Sequence, residues 1–236
     1  MQQLMSYMRS AIEQYGMIED GDRIAVGVSG GKDSTALLVG LAEMRRFLPV
    51  SYSLTAITLD PRFNNTDGDY SQITELCNRL SVEHIVKRTE MYKVIFETRK
   101  EKNPCSLCAR MRRGALHDAT KEAGCNKIAL GHHMDDAAET FYMNLFAGGR
   151  MECFSPVSYL SRKDLYLIRP MVFAREKDVS HAVRKLNLPI VKSSCPVDGN
   201  TNRASMRDRI TELEKEYGPL TEKTVGALQK AHISGW

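Results

Sequence analysis

Residues 29–34, Ser-Gly-Gly-Lys-Asp-Ser, place two glycines, two serines, a lysine and an aspartate in six consecutive positions. Glycines let backbone N–H groups approach an anion closely, and a helix that follows adds free N–H groups and its positive dipole end. Ser29 and Ser34 add hydroxyl donors and Lys32 adds a charge. Together they make a phosphate cradle, against the plainer reading of a ligand-free strand-to-helix turn. The common nucleotide loop is G-x-x-x-x-G-K followed by Ser or Thr, whose hydroxyl holds magnesium. Here Gly31-Lys32 is followed by Asp33, and Val26 rather than glycine stands five residues before Gly31. The dinucleotide pattern G-x-G-x-x-G is absent as well.

A second group is "ALGHHMDDAAET", where Gly131 permits a sharp exit from a strand and His132, Asp135 and Asp136 collect acidic and metal-capable groups. Carboxylates facing a triphosphate repel it unless a divalent cation lies between, which implies Mg2+. The same residues also read as a helix start, with Asp135 or Asp136 as N-cap and Glu139 closing a capping box.

The third group is cysteine. "PCSLCARMRRG" carries Cys105 and Cys108 as C-x-x-C, a spacing that brings two sulfurs to one metal. Cys195, before a proline in "SSCPVDG", is a third candidate. Three thiolates without a fourth suit an iron–sulfur centre with one open iron, and zinc with three cysteines and water competes with it. A redox pair is the other reading of the lone C-x-x-C. Cys77, Cys125 and Cys153 stand singly among apolar residues and read as packing. Around the C-x-x-C, Arg99, Lys100, Lys102, Arg110, Arg112 and Arg113 face one acid, Glu101. That is either a solvated helix face or a polyanion surface.

The elements that would position these groups alternate along the chain. Strands are expected over 24–28, 52–59, 83–87 and 127–130, with a candidate fifth over 165–170. Helices are expected from the loop through Leu41, over 70–80, over Arg110–Ala123, beyond Asp135 or Asp136, and over 175–186. Such alternation predicts an α/β fold with a parallel, doubly wound sheet, whose carboxyl edge carries the ligands. From Cys195 the chain turns polar and reads as two helices broken at "GPL". The partition expected is an N-terminal helical segment over 1–20, a nucleotide-binding domain over 21–195 holding the C-x-x-C helix, and a small helical extension over 196–236. The N-terminal stretch lacks the apolar core of a signal peptide and reads as a surface helix. The 236 residues are 42% hydrophobic and 26% charged with net charge +4. No apolar run approaches the roughly 18 residues of a membrane span, so a cytoplasmic protein without membrane partners is the default.

"SGGKDS" after a strand resembles the pyrophosphate loop of the PP-loop (N-type) ATP pyrophosphatases, whose fold is of the HUP, adenine nucleotide alpha hydrolase-like type. "GHHMDD…ET" resembles the second motif of that family. With "CSLCARMRRG", "LIRPM", "REKDV" and the late "CP", the order over roughly 17–207 is similar to the TtcA-like tRNA 2-thiocytidine synthetases. The resemblance implies ATP bound by Ser29, Gly30, Gly31, Lys32, Asp33 and Ser34, by Gly131, His132 and Asp136, and along the second strand by Ala56 and Thr58, mostly through backbone. It implies Lys32 and Asp135 in catalysis, and Cys105, Cys108 and Cys195 as catalytic ligands of a [4Fe-4S] cluster. Arg110, Arg112 and Arg113 would hold tRNA phosphates or ATP, and Arg169 and Arg175 are further candidates for the same work, each alone reading as a surface ion-pair partner. The implied reaction adenylates the C2 oxygen of a tRNA cytidine, at position 32 of the anticodon loop, and replaces it with sulfur from sulfide or a cysteine desulfurase. AMP and pyrophosphate leave. The resemblance also allows a homodimer. The rivals are 2-thiouridine synthesis by the same chemistry, an ATP-dependent amide or amine ligase with zinc on the cysteines, and a non-enzymatic nucleotide-binding module.

Overall fold

The computed structural model describes residues 1–101, 104–192, 194–196 and 202–236. Six strands form one sheet: β1 (Asp22–Gly27), β2 (Tyr52–Asp60), β3 (Glu83–Arg88), β4 (Lys127–Ala129), β5 (Val157–Leu160) and β6 (Leu165–Ile168), in the order β3-β2-β1-β4-β6-β5. β1 pairs in parallel with β2 and β4, β2 with β3, and β4 with β6. The chain moves outward from β1 through β2 to β3 and then returns to the other side of β1. The order therefore reverses between β1 and β4, and ligands of open α/β sheets bind outside the carboxyl ends at such a switch point.

Side-chain alternation in β1 sorts the two faces. Ile24 and Val26 enter the main core with α1 (Gln2–Tyr15), α2 (Lys32–Met44) and α6 (Glu176–Lys185), whereas Ala25 faces Ala119 and Leu116 of α4 (Pro104–Glu122). Small residues at Ala25 and Gly27 let α4 lie close, since a Cβ at Gly27 would stand 3.2 Å from Leu116 Cδ2. The N-terminal helix is amphipathic. It buries Leu4, Met8, Ala11 and Ile12 and ends at Gly16 in the left-handed conformation.

Several boundaries differ from the sequence-based expectation. The sheet is not wholly parallel, because β5 precedes the expected fifth strand and pairs with it antiparallel. β5 is a four-residue edge strand with Tyr159 exposed, too short and too solvated to show alternation. α4 begins at Pro104 rather than Arg110, because proline favours the first helical position. The second-motif helix α5 (Met134–Gly148) starts earlier than expected. The polar tail forms α7 (Asn202–Tyr217) and α8 (Leu220–Lys230), separated at Gly218-Pro219, and both pack on α5. Among the described residues no helix is long and apolar enough to cross a membrane.

At the amino edge, Lys127 and Asp22 are each 4% exposed and paired at 2.8 Å. Lys127 also donates to the Met17 carbonyl, and Asp22 accepts from Asn126 and the Glu19 N–H. Removing one partner of a buried pair strands the other charge, at a cost of about 3–5 kcal/mol. Lys127→Met should lower unfolding free energy by that order in urea titration, and Asp22→Asn/Lys127→Met should recover part of it.

Candidate active site

The loop after β1 is held by its own side chains. The Ser29 N–H donates to Ser34 Oγ at 3.1 Å, and that hydroxyl donates to the Gly31 carbonyl at 3.0 Å. Thr35 Oγ1 donates to the same carbonyl. Gly30 takes φ +83°, a region that favours glycine, and a Cβ there would meet Val191 Cβ at 2.7 Å. No side chain caps α2, whose N-cap is Gly31. Its first N–H groups are left for a ligand, as an anion site requires. Lys32 Nζ contacts Asp33 at 2.9 Å and Glu176 at 2.9 Å. Burial alone would lower its pKa, but these two carboxylates outweigh burial and raise it.

Gly131 joins the second motif to this loop, because a Cβ there would lie 3.1 Å from the Asp33 carbonyl carbon and oxygen and 3.2 Å from Ser34 N. The cap of α5 is His133, contrary to the expectation of Asp135 or Asp136. Its Nδ1 accepts from the Asp136 N–H, and Asp136 Oδ2 accepts from the His133 N–H. Asp136, not Glu139, closes the box, since an imidazole acceptor at the cap serves as a serine would. Asp135 accepts from Arg175 Nε at 3.0 Å and from the Glu176 N–H at 2.6 Å, tying α5 to the start of α6. Asp136 pairs with Arg203 at 2.9 Å. Glu139, 1% exposed, takes Arg207 at 2.7 Å and Arg203 at 3.3 Å. Burial raises the Glu139 pKa, and the arginines only partly offset it.

His133, Glu176, Arg203 and Arg207 were not singled out from the sequence, and Glu139 was read only as closing a capping box. A signal existed: acids three apart on α5 match arginines four apart on α7, one face against one face. Ala56 is fully buried and its backbone lies inside the ladder, level with Val26 on one side and His84 on the other. Thr58 lies at the edge, but its hydroxyl donates to the Val28 carbonyl at 2.7 Å and meets His84 Nε2 at 2.9 Å. It braces the entry to the loop.

The three cysteines gather on the β2 side of the same edge. Cys105 is exposed, while Cys108 and Cys195 are half-buried. Burial pushes the Cys108 thiol up, Arg112 pulls it down, and Cys195 and Cys105 both push it further up, so each of these two sulfurs lies within electrostatic reach of Cys108. Among the described residues no three His, Cys, Asp or Glu side chains are closed to metal-ligating geometry. The segment leading to Cys195 crosses the loop, where the Val191 N–H donates to the Gly30 carbonyl at 2.9 Å. Arg110, Arg112 and Arg113 are exposed, and Arg112 also acts on Tyr70. Cys77 and Cys125 are buried packing residues, and Cys153 donates to the Ala137 carbonyl. Arg175 is an ion-pair partner, of Asp135, Glu214 and Glu222. Arg169 is not. It follows β6 into the interior, is 9% exposed, and lies 4.8 Å over the Phe154 ring.

Two outcomes are expected from this geometry. Gly131→Ala forces two backbones apart, a cost of about 1–3 kcal/mol, and should weaken ATP binding by roughly tenfold or more in calorimetry. His132 is driven from 6.5 to about 4, first by burial and then by the Arg169 charge. Its folded pKa lies below the unfolded one, so on acidification the unfolded chain takes the proton first. Stability that is present above pH 6.5 should be lost as pH falls toward 4. Thermal melts across that window should show the slope, and His132→Gln should flatten it.

Comparison with known proteins accords with this geometry. A family model described as the PP-loop domain matches residues 3–214. A tRNA-cytidine(32) 2-sulfurtransferase of Geobacter sulfurreducens is 38% identical over 221 residues, covering 92% of this chain and 85% of that protein. A protein of the same name from Geotalea daltonii is 40% identical, covering 92% and 87%. Among solved structures, the U34-tRNA thiolase NcsA from Methanococcus maripaludis with its [4Fe-4S] cluster has a TM-score of 0.75 at 23% identity, covering 96% of this chain and 77% of that one. At that identity the likeness is one of fold. The chain belongs to the PP-loop family, in its branch of tRNA-cytidine(32) 2-sulfurtransferases.

Proposed function

We propose that this protein is an ATP-dependent tRNA sulfurtransferase that converts cytidine 32 of the anticodon loop to 2-thiocytidine. Relatives of that name support the reading. The observation that carries it is the convergence of three thiols around Cys108 on the sheet edge that also holds the uncapped α2 terminus, with the segment before Cys195 hydrogen-bonded to Gly30 between them. Activation and sulfur delivery thus share one edge.

The loop residues fit a pyrophosphate: Gly30 and Gly31 present backbone, Ser29 and Ser34 fix its curvature, and Lys32 supplies charge on releasing Glu176. Asp136 suits magnesium on releasing Arg203, whereas Asp135 is committed to Arg175 and the start of α6. In the reaction the cytidine C2 oxygen attacks the α-phosphorus and pyrophosphate departs, its charge held by Lys32 and the loop N–H groups. Sulfur then attacks C2 and AMP leaves with the original oxygen. Cys105, Cys108 and Cys195 form a thiol-only donor set that fits an iron–sulfur cluster, and such a cluster supplies an open iron for sulfide. The target base must leave its stack to reach this edge, and Arg110, Arg112 and Arg113, which are exposed, would hold its backbone phosphates.

Mass analysis of tRNA nucleosides from a strain lacking the gene should show 2-thiocytidine lost. An unchanged level overturns the substrate, and loss of 2-thiouridine instead selects the uridine rival. Anaerobically purified protein should be coloured, with Cys105→Ser, Cys108→Ser and Cys195→Ser each bleaching it. A colourless protein holding zinc removes the cluster and favours the ligase reading.

A further inference from the structure

The Glu176 carboxylate bridges the Ser29–Ser34 loop and α7. Its Oε1 lies 2.9 Å from Lys32 Nζ, and its Oε2 lies 3.6 Å from Arg207 Nη1. Its backbone N–H donates to Asp135 Oδ2 at 2.6 Å, which pins the first turn of α6 where this side chain reaches the loop. An acid in the first turn of a helix is ordinarily accounted for by the helix dipole, and Asp178 fits that description. Glu176 differs because it engages the lysine of the loop, which it shares with Asp33. The Lys32 and Glu176 side chains are 30% and 26% exposed, so salt screens the pair less than it screens an open surface pair. Burial alone would raise the Glu176 pKa, but Lys32 and then Arg207 outweigh it and lower it.

We propose that Glu176 is an internal competitor of pyrophosphate for Lys32: it yields the ammonium when the phosphates arrive and reclaims it as pyrophosphate leaves. The inference rests on the reading of residues 29–34 as a pyrophosphate loop. A phosphate oxygen and a carboxylate on one ammonium stand close enough to repel each other, so one must withdraw. Of the two carboxylates on Lys32, Glu176 has a second cation within reach, Arg207, and releasing the lysine therefore strands no charge. Both partners stay charged and no proton moves. A loop shaped in advance for pyrophosphate also retains it as a product, and product release limits turnover in many enzymes. A carboxylate tethered beside the lysine shortens that retention by replacing the departing phosphate at once. Because it acts through Lys32, Glu176 is a positioning residue and touches neither nucleotide nor tRNA.

The test is binding of pyrophosphate and of AMP by calorimetry, with pyrophosphate exchange rates from 31P line shapes, first without added metal and then with Mg2+. The proteins are the wild type, Glu176→Gln, and Asp178→Asn as a control that removes a charge from the same helical turn. Glu176→Gln should bind pyrophosphate about three- to tenfold tighter, chiefly through slower dissociation. Its AMP affinity should be unchanged, because AMP carries no β- or γ-phosphate, and Asp178→Asn should bind both ligands as the wild type does. A residue that merely supports the fold would loosen binding when altered, so equal or weaker pyrophosphate binding by Glu176→Gln overturns the proposal. Equal tightening toward AMP, or equal tightening by Asp178→Asn, assigns the effect to net charge and overturns it as well. A gain wholly in association removes the role in release. Weaker binding that emerges only with Mg2+ gives the carboxylate to the metal and overturns the competition. All these outcomes leave the loop reading standing, whereas pyrophosphate binding to none of the proteins overturns the loop reading and the competitor with it. Should Glu176→Gln not fold, Glu176→Asp, whose shorter arm draws the carboxylate back from Lys32, must show the same tightening, and its absence sinks the proposal.

Discussion

Gly131 brings the end of β4 against the peptide joining Asp33 to Ser34, at a separation that leaves no room for a Cβ. On the opposite side, Gly30 accepts from the Val191 N–H and would clash with Val191 if it carried a side chain. The loop is therefore wedged between two backbones, one from the sheet and one from the segment that leads to Cys195. The Ser29–Ser34–Gly31 hydrogen bonds also close it internally. Thr58 adds a third brace through the Val28 carbonyl. Such preorganisation matters because donors fixed before a charge arrives need no rearrangement when it does.

The charges around this wedge are balanced within the protein. Lys32 is shared by Asp33 and Glu176, Arg203 by Asp136 and Glu139, and Arg207 by Glu139 and Glu176. Lys32 holds the Glu176 carboxyl below its usual range despite burial. An incoming triphosphate thus exchanges partners with carboxylates instead of meeting bare cations. The exchange weakens net affinity, because each released carboxylate must be solvated or take a metal ion. Arg169 stands apart from this lattice. It is a cation near the same edge with no carboxylate among the described residues to give up.

The strands flanking the switch point and the two glycine-bearing turns were legible because each has a local cause: an apolar run, then a residue that only a tight backbone approach requires. β5 was not, being short, half-exposed and stabilised by pairing with β6 alone. The cap of α5 was misassigned because histidine rarely serves as a cap, and only three-dimensional context reveals its Nδ1 as the acceptor. Ala56 lies one pair before the end of the β1–β2 ladder, a matter of register, which a single strand does not encode. Arg169 was expected at the surface as an ion-pair partner, and burial of an arginine without a carboxylate is a property of packing.

The tail helix α7 shows how far electrostatics can replace apolar burial in holding an element. Of its 16 residues only Ile210 is buried, yet it docks along α5. Exposed ion pairs would contribute little to such docking. The difference lies in Glu139, which is 1% exposed and would be stranded if Arg203 and Arg207 withdrew. The cost of leaving that carboxylate uncompensated keeps the helix in place. It also means that α7 and the Cys195 segment are fastened to the nucleotide edge by different contacts, arginines in one case and the Val191–Gly30 hydrogen bond in the other. The loop and α7 are also joined through Glu176, which pairs with Lys32 on one side and Arg207 on the other.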